Sequence, residues 1–219
     1  MSTIQSQREL VKNQKESKKK KTTITVVSVV VLVLAIVLAL VFFLPKTRVE
    51  GFSLGDPEAT VKVDQFSNYN CIHCVNFAME QEADFIKNYV DTGKVYWTYH
   101  NYQFIEDDSS PAAEATYCAG EQGKFFDYKK LVYQAASAGY AGKFAEESLV
   151  NYAKELNLNL DEFAQCRESD RQIDVINQGR DYGSSNKIQY TPQFMVNGKL
   201  SLATDLQATI DSALKAAGN

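Results

Sequence analysis

The chain opens with a polar stretch that gives way to a long apolar run. Residues 22–44 (TTITVVSVVVLVLAIVLALVFFL) carry no charged side chain. A helix of this length rises about 35 Å, which is enough to cross a hydrocarbon core of roughly 30 Å. Many of the side chains are β-branched, but in lipid the backbone must bond to itself, and this favours a helix. The pattern therefore predicts a single transmembrane helix over 22–44.

A basic cluster before the apolar run predicts its orientation. Residues 1–21 contain seven basic and two acidic side chains, a net charge of +5, and end in four consecutive lysines. Positive charges beside a membrane span stay in the cytoplasm. This predicts a cytoplasmic tail over 1–21 and a domain on the outer side of the cell membrane. The alternative is a cleaved signal peptide, but its apolar core is shorter, about 7–15 residues, so a retained single-pass anchor is favoured.

The chain beyond the apolar run begins with a predicted linker over 45–55 and then shows strand-like and helix-like patterns. Alternation over 60–66 predicts a strand. The Val-, Tyr- and Trp-rich segment 94–102 predicts another. Between them, apolar side chains recur at helical spacing and predict one long helix. That stripe consists of Val75, Met79, Ala83, Ile86 and Val90.

The next part of the chain is mainly helical. Ser110 followed by Pro111 is typical of a helix start. The helical pattern then covers about 109–184, with breaks near 139–142 and 157–159. This segment is predicted to be a helical insertion between two parts of a sheet domain.

The last part of the chain returns to strands. A short strand over 193–196 leads to Asn197-Gly198, a strong hairpin signal, so a second strand should follow. An amphipathic helix over 206–216 ends the pattern. The full order predicts an α/β domain over 56–219 that is interrupted by the helical insertion.

The net charge of the chain limits the kinds of partner that it can bind. The whole chain has a net charge of −4, so the part after residue 21 carries −9. Binding to nucleic acid needs a basic surface for the phosphates, and an acidic domain therefore argues against such a partner. No motif indicates an organic cofactor or a metal. Outside the cytoplasm disulfides persist, so the four cysteines can be oxidised there.

A Cys-x-x-Cys pair lies where the first strand gives way to the long helix. Cys71 would occupy the helix N-terminus, where unpaired backbone N–H groups and the helix dipole stabilise a thiolate. His73 adds a hydrogen-bond donor, and Cys74, one turn further along, would resolve mixed disulfides. A stabilised thiolate makes the disulfide a stronger oxidant. The pair therefore predicts thiol–disulfide exchange.

Two other interpretations of the pair stay open. A tetrahedral zinc site would combine Cys71, His73 and Cys74 with a distant cysteine, and an inert structural disulfide would simply join the two thiols. The sequence contains no second Cys-x-x-Cys and no His-x-x-His. A two-residue gap at a helix start outside the cytoplasm also suits redox chemistry better. His100, in an aromatic strand, is expected to be structural.

Three separated motifs resemble the DsbA-like thioredoxin family. The first is 64–74 (DQFSNYNCIHC), and the second is 115–126 (ATYCAGEQGKFF). The third joins 190–192 (YTP) to 196–199 (VNGK). Together they extend over about 54–217 and omit the anchor. The resemblance implies a thioredoxin-like fold with an inserted helical domain.

The resemblance also implies roles for single residues. Cys71 would be the reacting cysteine, and Thr191-Pro192 would be a cis peptide beside the disulfide, the alternative being an ordinary trans proline at a strand start. Cys118 and Cys166 would form a structural disulfide in the insertion. The alternative for these two is a second redox pair that relays electrons.

Three positions depart from the family pattern. Ile72 stands where proline often follows the first cysteine, so the motif is less rigid or differs in redox potential. Gln65 stands where a buried acid is frequent and cannot accept a proton from Cys74. Tyr190 replaces the glycine usual before Thr-Pro.

These features predict an oxidase that transfers its disulfide to reduced secreted or cell-surface proteins. The reduced enzyme would then be reoxidised, and a membrane quinone reductase is the expected partner. The same chemistry run as a reductase or isomerase is the alternative, since sequence does not fix the redox potential. A non-catalytic, membrane-tethered chaperone or binding module of the same fold is another.

Overall fold

The computed structural model of the chain describes residues 32–33, 51–103 and 109–218. The tail expected over 1–21 lies outside these residues, and so does almost all of the span expected over 22–44. Within the described residues, no helix is both long and apolar enough to cross a bilayer.

A five-stranded mixed sheet organises the domain. Its strands are β1 (Phe52–Leu54), β2 (Val61–Ser67), β3 (Val95–Asn101), β4 (Gln193–Val196) and β5 (Lys199–Leu202). Their order in the sheet is β1-β3-β2-β4-β5. Strands β2 and β3 are parallel, and the other neighbours are antiparallel. The carboxyl ends of β2 and β3 therefore meet at one edge of the sheet.

The described helices follow β2, fill the segment between β3 and β4, and follow β5. After β2 come α1 (Ile72–Glu80), α2 (Glu82–Phe85) and a π-helical segment (Ile86–Val90). Between β3 and β4 lie α3 (Ser110–Glu121), α4 (Phe125–Ala138), α5 (Glu146–Glu155), α6 (Leu160–Glu168) and α7 (Ile173–Ser185). A 3₁₀ turn (Ala203–Asp205) and α8 (Leu206–Ala216) follow β5. The predicted α/β class with a helical insertion is confirmed.

The predicted linker over 45–55 is wrong at its end, because residues 52–54 form β1. This strand pairs with β3, with Phe52 opposite Tyr99. The Phe52 ring stacks on Phe125, with 4.2 Å between centroids. It also fits against Gly120, where a Cβ would lie 2.2 Å from the ring. Three residues are too few to show alternation, so the sequence pattern does not reveal this strand.

The prediction of one long helix after the cysteine pair is also wrong, because the structure has a break within it. Gln81 has φ −123° and ψ −29°, which interrupts the helix between α1 and α2. Met79, before the break, is 43% exposed, and Ala83, after it, is exposed as well, so the two helices do not share the predicted apolar stripe. Cys74 and Phe85 face the core instead.

Alternation along β2 and β3 separates two faces of the sheet. Val63 and Trp97 point into the larger core, which also contains Cys74 and side chains of the insertion. Phe66 belongs to a smaller cluster with Tyr102. Gln65 alternates with Phe66 and so points to the face of Val63. The insertion and the cysteine pair thus share one core.

Candidate active site

Cys71 is placed by the junction between β2 and α1. It is the N-cap of α1, with an extended backbone (φ −85°, ψ 117°), and is half-buried. The backbone N–H groups of His73 and Cys74, which lie in the first helical turn, point toward its sulfur. These are the orphan donors of a helix start. The expected position of the cysteine pair at a strand–helix junction is therefore observed.

The surroundings of Cys71 favour its thiolate. A hydrogen bond from the Cys74 thiol has the largest effect, and a bond from the Thr191 side chain and the helix-start N–H groups add to it. Burial acts in the opposite direction. Together they lower the pKa of Cys71 from 9.0 to about 5. At neutral pH the reduced protein therefore carries a Cys71 thiolate.

Cys74 differs from Cys71 in both exposure and protonation, the two properties that matter for disulfide exchange. It is fully buried, and the backbone N–H of Asn68 lies 3.5 Å from its sulfur. Burial, together with its hydrogen bond to Cys71, raises the pKa of Cys74 well above the ordinary value. One thiol is thus accessible and ionised, while the other is enclosed and protonated. Neither cysteine is in a disulfide in this structure.

The chain brings the Thr191-Pro192 loop to the cysteine pair. The Thr191–Pro192 peptide bond is cis, as the resemblance implies. The sulfur of Cys71 lies 3.1 Å from the Thr191 carbonyl oxygen. Tyr190 is 41% exposed and Ile72 is 63% exposed, so two of the departures from the family pattern present apolar surface to solvent.

His73 contributes through its backbone more than through its side chain. Its side chain is exposed, whereas its backbone N–H is among the groups that lower the pKa of Cys71. The sequence placed His73 in the site as a side-chain donor, and the structure provides the donor from the main chain.

Two polar residues on β2 support Cys74, and only one of them was singled out from the sequence. Gln65 is fully buried and donates from Nε2 to Ser67 Oγ at 2.9 Å. Ser67 in turn hydrogen-bonds to Cys74 and acts to lower its pKa. Ser67 carries no sequence signal of its own, because a serine at a strand end is common.

Cys118 and Cys166 are joined by a disulfide between α3 and α6. Their Cα atoms are 5.7 Å apart, and 48 positions separate them in the chain. Neither is available in this structure as a further zinc ligand beside Cys71 and Cys74. Across the described ranges, no group of three or more His, Cys, Asp or Glu side chains is arranged to hold a metal ion.

His100 lies away from the cysteine pair, on the opposite face of the sheet. Its Nε2 is 3.0 Å from Asp64 Oδ1, and both side chains are buried. The Phe66 ring stacks on the imidazole at 5.0 Å. The imidazole also lies 5.5 Å from the Tyr182 ring on α7, so His100 is part of the packing between the sheet and α7.

Comparison with known proteins agrees with this geometry. The family model described as thioredoxin matches residues 47–216. The probable disulfide bond formation protein D of Bacillus anthracis is 29% identical over 170 residues, which is 74% of this chain and 78% of the relative. A putative protein-disulfide oxidoreductase of Rickettsia felis is 24% identical over 147 residues, 66% of this chain and 52% of the relative.

Solved structures share the fold. The oxidised form of BdbD from Bacillus subtilis superimposes with a TM-score of 0.64 at 22% identity, covering 74% of this chain and 92% of that one. The shared fold, the cysteine pair at a helix start and the relatives named for disulfide formation lead to one conclusion. The chain belongs to the thioredoxin family and is a DsbA-like protein thiol–disulfide oxidoreductase.

Proposed function

We propose that the protein is an oxidase that donates the Cys71–Cys74 disulfide to reduced proteins outside the cytoplasm. The observation that supports this direction most strongly is the lowered pKa of Cys71, about 5. A thiolate that is stable in the reduced enzyme stabilises the reduced form, and this makes the disulfide more oxidising.

The exchange follows from the unequal exposure of the two sulfurs. A substrate thiolate attacks the half-buried Cys71 sulfur, and the S–S bond to Cys74 breaks. Cys74 leaves with the electron pair and takes up the proton that the substrate thiol lost. A second substrate thiolate then attacks the mixed disulfide, so the substrate disulfide forms and Cys71 leaves as a thiolate. The enzyme ends with two more electrons and is reduced.

The loop beside Cys71 is suited to hold the substrate. In this proposal, the exposed Ile72 and Tyr190 contact apolar side chains of the substrate, and Thr191 and Pro192 position its chain over the sulfur. Cys118 and Cys166 stabilise the insertion and take no part in electron transfer.

The proposed function includes a location at the cell membrane. The apolar run 22–44 anchors the chain in the cell membrane, with residues 1–21 in the cytoplasm. Reduced secreted and cell-surface proteins are then the substrates, and a membrane quinone reductase beside the anchor regenerates the disulfide.

The redox potential tests the proposed direction. The full chain in detergent is equilibrated with glutathione buffers, and the reduced fraction is read by alkylation of Cys71. A potential near roughly −120 mV supports an oxidase, and a value near roughly −270 mV would mean a reductase. Full oxidation that glutathione never reverses would instead indicate an inert disulfide.

A further inference from the structure

A buried lysine lies in the same core as Cys74. Lys129 on α4 is fully buried, and its Nζ lies 2.6 Å from both carboxylate oxygens of Glu82. Among the described residues, no other lysine or arginine is buried. A lysine is almost never fully buried unless it is paired. The pair joins the helical insertion to α2, which follows the redox helix directly.

The lysine is enclosed by aromatic rings. Its Nζ lies 5.1 to 5.9 Å from the ring centroids of Trp97, Tyr99, Phe126 and Tyr133. The hydroxyl groups of Tyr99 and Tyr133 are 2.9 Å apart and hydrogen-bonded to each other. Aromatic faces attract a cation, and the absence of exposed surface keeps water screening low. A charge here acts over a longer distance than it would at the surface.

The helix that carries Cys74 packs against the helix that carries Lys129. Cys74 also belongs to the same buried core as the rings of Trp97, Tyr99 and Tyr133 around the lysine. Burial lowers the pKa of Lys129, whereas the Glu82 carboxylate and then the Cys74 sulfur act to raise it. Gln65 on β2 points to the same core, and its side chain is buried but carries no charge. The buried hydrogen bond between Asp64 and His100 lies on the opposite face of the sheet. Lys129 is thus the buried cation on the Cys74 face.

We infer that Lys129, held in place by Glu82, is a positioning residue that stabilises the Cys74 thiolate while it forms. This rests on the proposed exchange function. When a substrate thiolate opens the disulfide, Cys74 leaves with the electron pair before it regains a proton. In the reverse step the Cys74 thiol loses its proton, attacks Cys71 and releases the substrate thiolate, which takes that proton. Both directions pass through negative charge on the enclosed sulfur.

This role of Lys129 predicts that removing the pair slows disulfide exchange without a matching change in its equilibrium constant. At rest the reduced enzyme holds Cys74 protonated, so the cation contributes most in the transition state. Replacing the pair by neutral side chains in the double variant Lys129→Met with Glu82→Gln removes both charges and leaves no unpaired carboxylate in the core. We expect exchange with glutathione to slow about tenfold in both directions. The equilibrium constant should change less than about threefold.

Two variants provide matched controls in the full chain. Asp64→Asn removes the buried carboxyl group on the other face of the sheet and should leave the rates within about twofold. Lys130→Met removes an exposed charge from the same helix and should do the same. Should the first double variant fail to fold, Lys129→Gln with Glu82→Gln keeps a hydrogen bond between the two positions and replaces it.

Stopped-flow measurement of both directions decides the inference. Slower exchange in the pair variant alone, with the cooperative urea transition retained, supports it. Unchanged rates in a pair variant, or equal slowing in Asp64→Asn, would overturn it while leaving the oxidoreductase function intact. A wild-type chain that does not exchange with glutathione would contradict the proposed function itself.

Discussion

The sulfur of Cys71 and the carbonyl oxygen of Thr191 are 3.1 Å apart, although 120 positions separate them in the chain. The contact exists because β2 and β4 are antiparallel neighbours, with Phe66 opposite Gln193. The end of β2 leads into the cysteine pair, and the start of β4 follows Pro192. The whole helical insertion therefore lies between two segments that together form one side of the reaction site.

The different exposure of the two cysteines predicts different outcomes for their serine variants. Cys71→Ser should lose disulfide transfer entirely, because the accessible sulfur is gone. Cys74→Ser should keep a reactive Cys71 and accumulate mixed disulfides, since no second thiol resolves them. Gel analysis after acid quenching and alkylation measures both. Turnover that survives in Cys71→Ser would contradict the proposed mechanism, and a Cys74→Ser variant that captures no disulfide-bonded protein would favour a non-catalytic binding module.

The lowered pKa of Cys71 predicts how the stability of the reduced chain depends on pH. In the unfolded chain the thiol titrates near its ordinary value of 9.0, and in the folded chain near 5. The unfolded state therefore binds more protons between these values, and stability from this group is complete above about pH 9 and lost as pH falls through 5. Urea unfolding of the reduced chain at pH 8 and pH 5 measures this loss.

The matched control for that experiment is Cys71→Ser. It retains every other titrating group, so the pH-dependent difference in the free energy of unfolding between wild type and variant isolates Cys71. Absorbance of the thiolate at 240 nm gives the same pKa directly. An absorbance transition near pH 9 would show that the helix start and the Cys74 thiol do not stabilise the anion.

Local sequence signals predicted the elements that position Cys71. The strand before it, the helix after it and the Asn197-Gly198 hairpin are all set by residues close in sequence. The pairing of Glu82 with Lys129 was not predicted, because 47 positions separate the two residues. Lys129 lies within an amphipathic helix where a lysine ordinarily faces water. Only the break at Gln81, which turns Glu82 inward, and the packing of α4 against that face bury it.

Ile72 allows a direct test of the motif's departure from the family. It is the first residue of α1 and is 63% exposed. Proline is favourable at this position, and its missing N–H is not among the groups that stabilise the Cys71 thiolate. We expect Ile72→Pro to raise the free energy of unfolding by about 0.4–1 kcal/mol and to leave the pKa of Cys71 near 5. Denaturant unfolding and thiolate absorbance measure the two effects, and a pKa increase of more than about one unit would show that the isoleucine backbone supports the anion.

The disulfide in the insertion should affect stability but not exchange. Closing a loop of 48 residues is worth about 4 kcal/mol in the chain-entropy model. We therefore expect the double variant Cys118→Ala with Cys166→Ala to lower the free energy of unfolding by about that amount. Its exchange rate with glutathione should match that of wild type at a temperature where both are folded. A large loss of exchange in the folded variant would favour a second redox pair that relays electrons.

The apolar run 22–44 predicts that the full chain stays in the membrane after alkaline carbonate extraction. The prediction depends on continuous apolar length, so charged substitutions at its centre should weaken it. Val31→Arg with Leu34→Arg adds about 2.5–3.5 kcal/mol per arginine to the cost of insertion, which should release a large share of the chain into the soluble fraction. Lys46→Gln, just outside the run, is the control and should leave the membrane fraction unchanged. A wild-type chain that carbonate extracts completely, or one that is recovered without residues 1–44, would favour a cleaved signal peptide over a retained anchor.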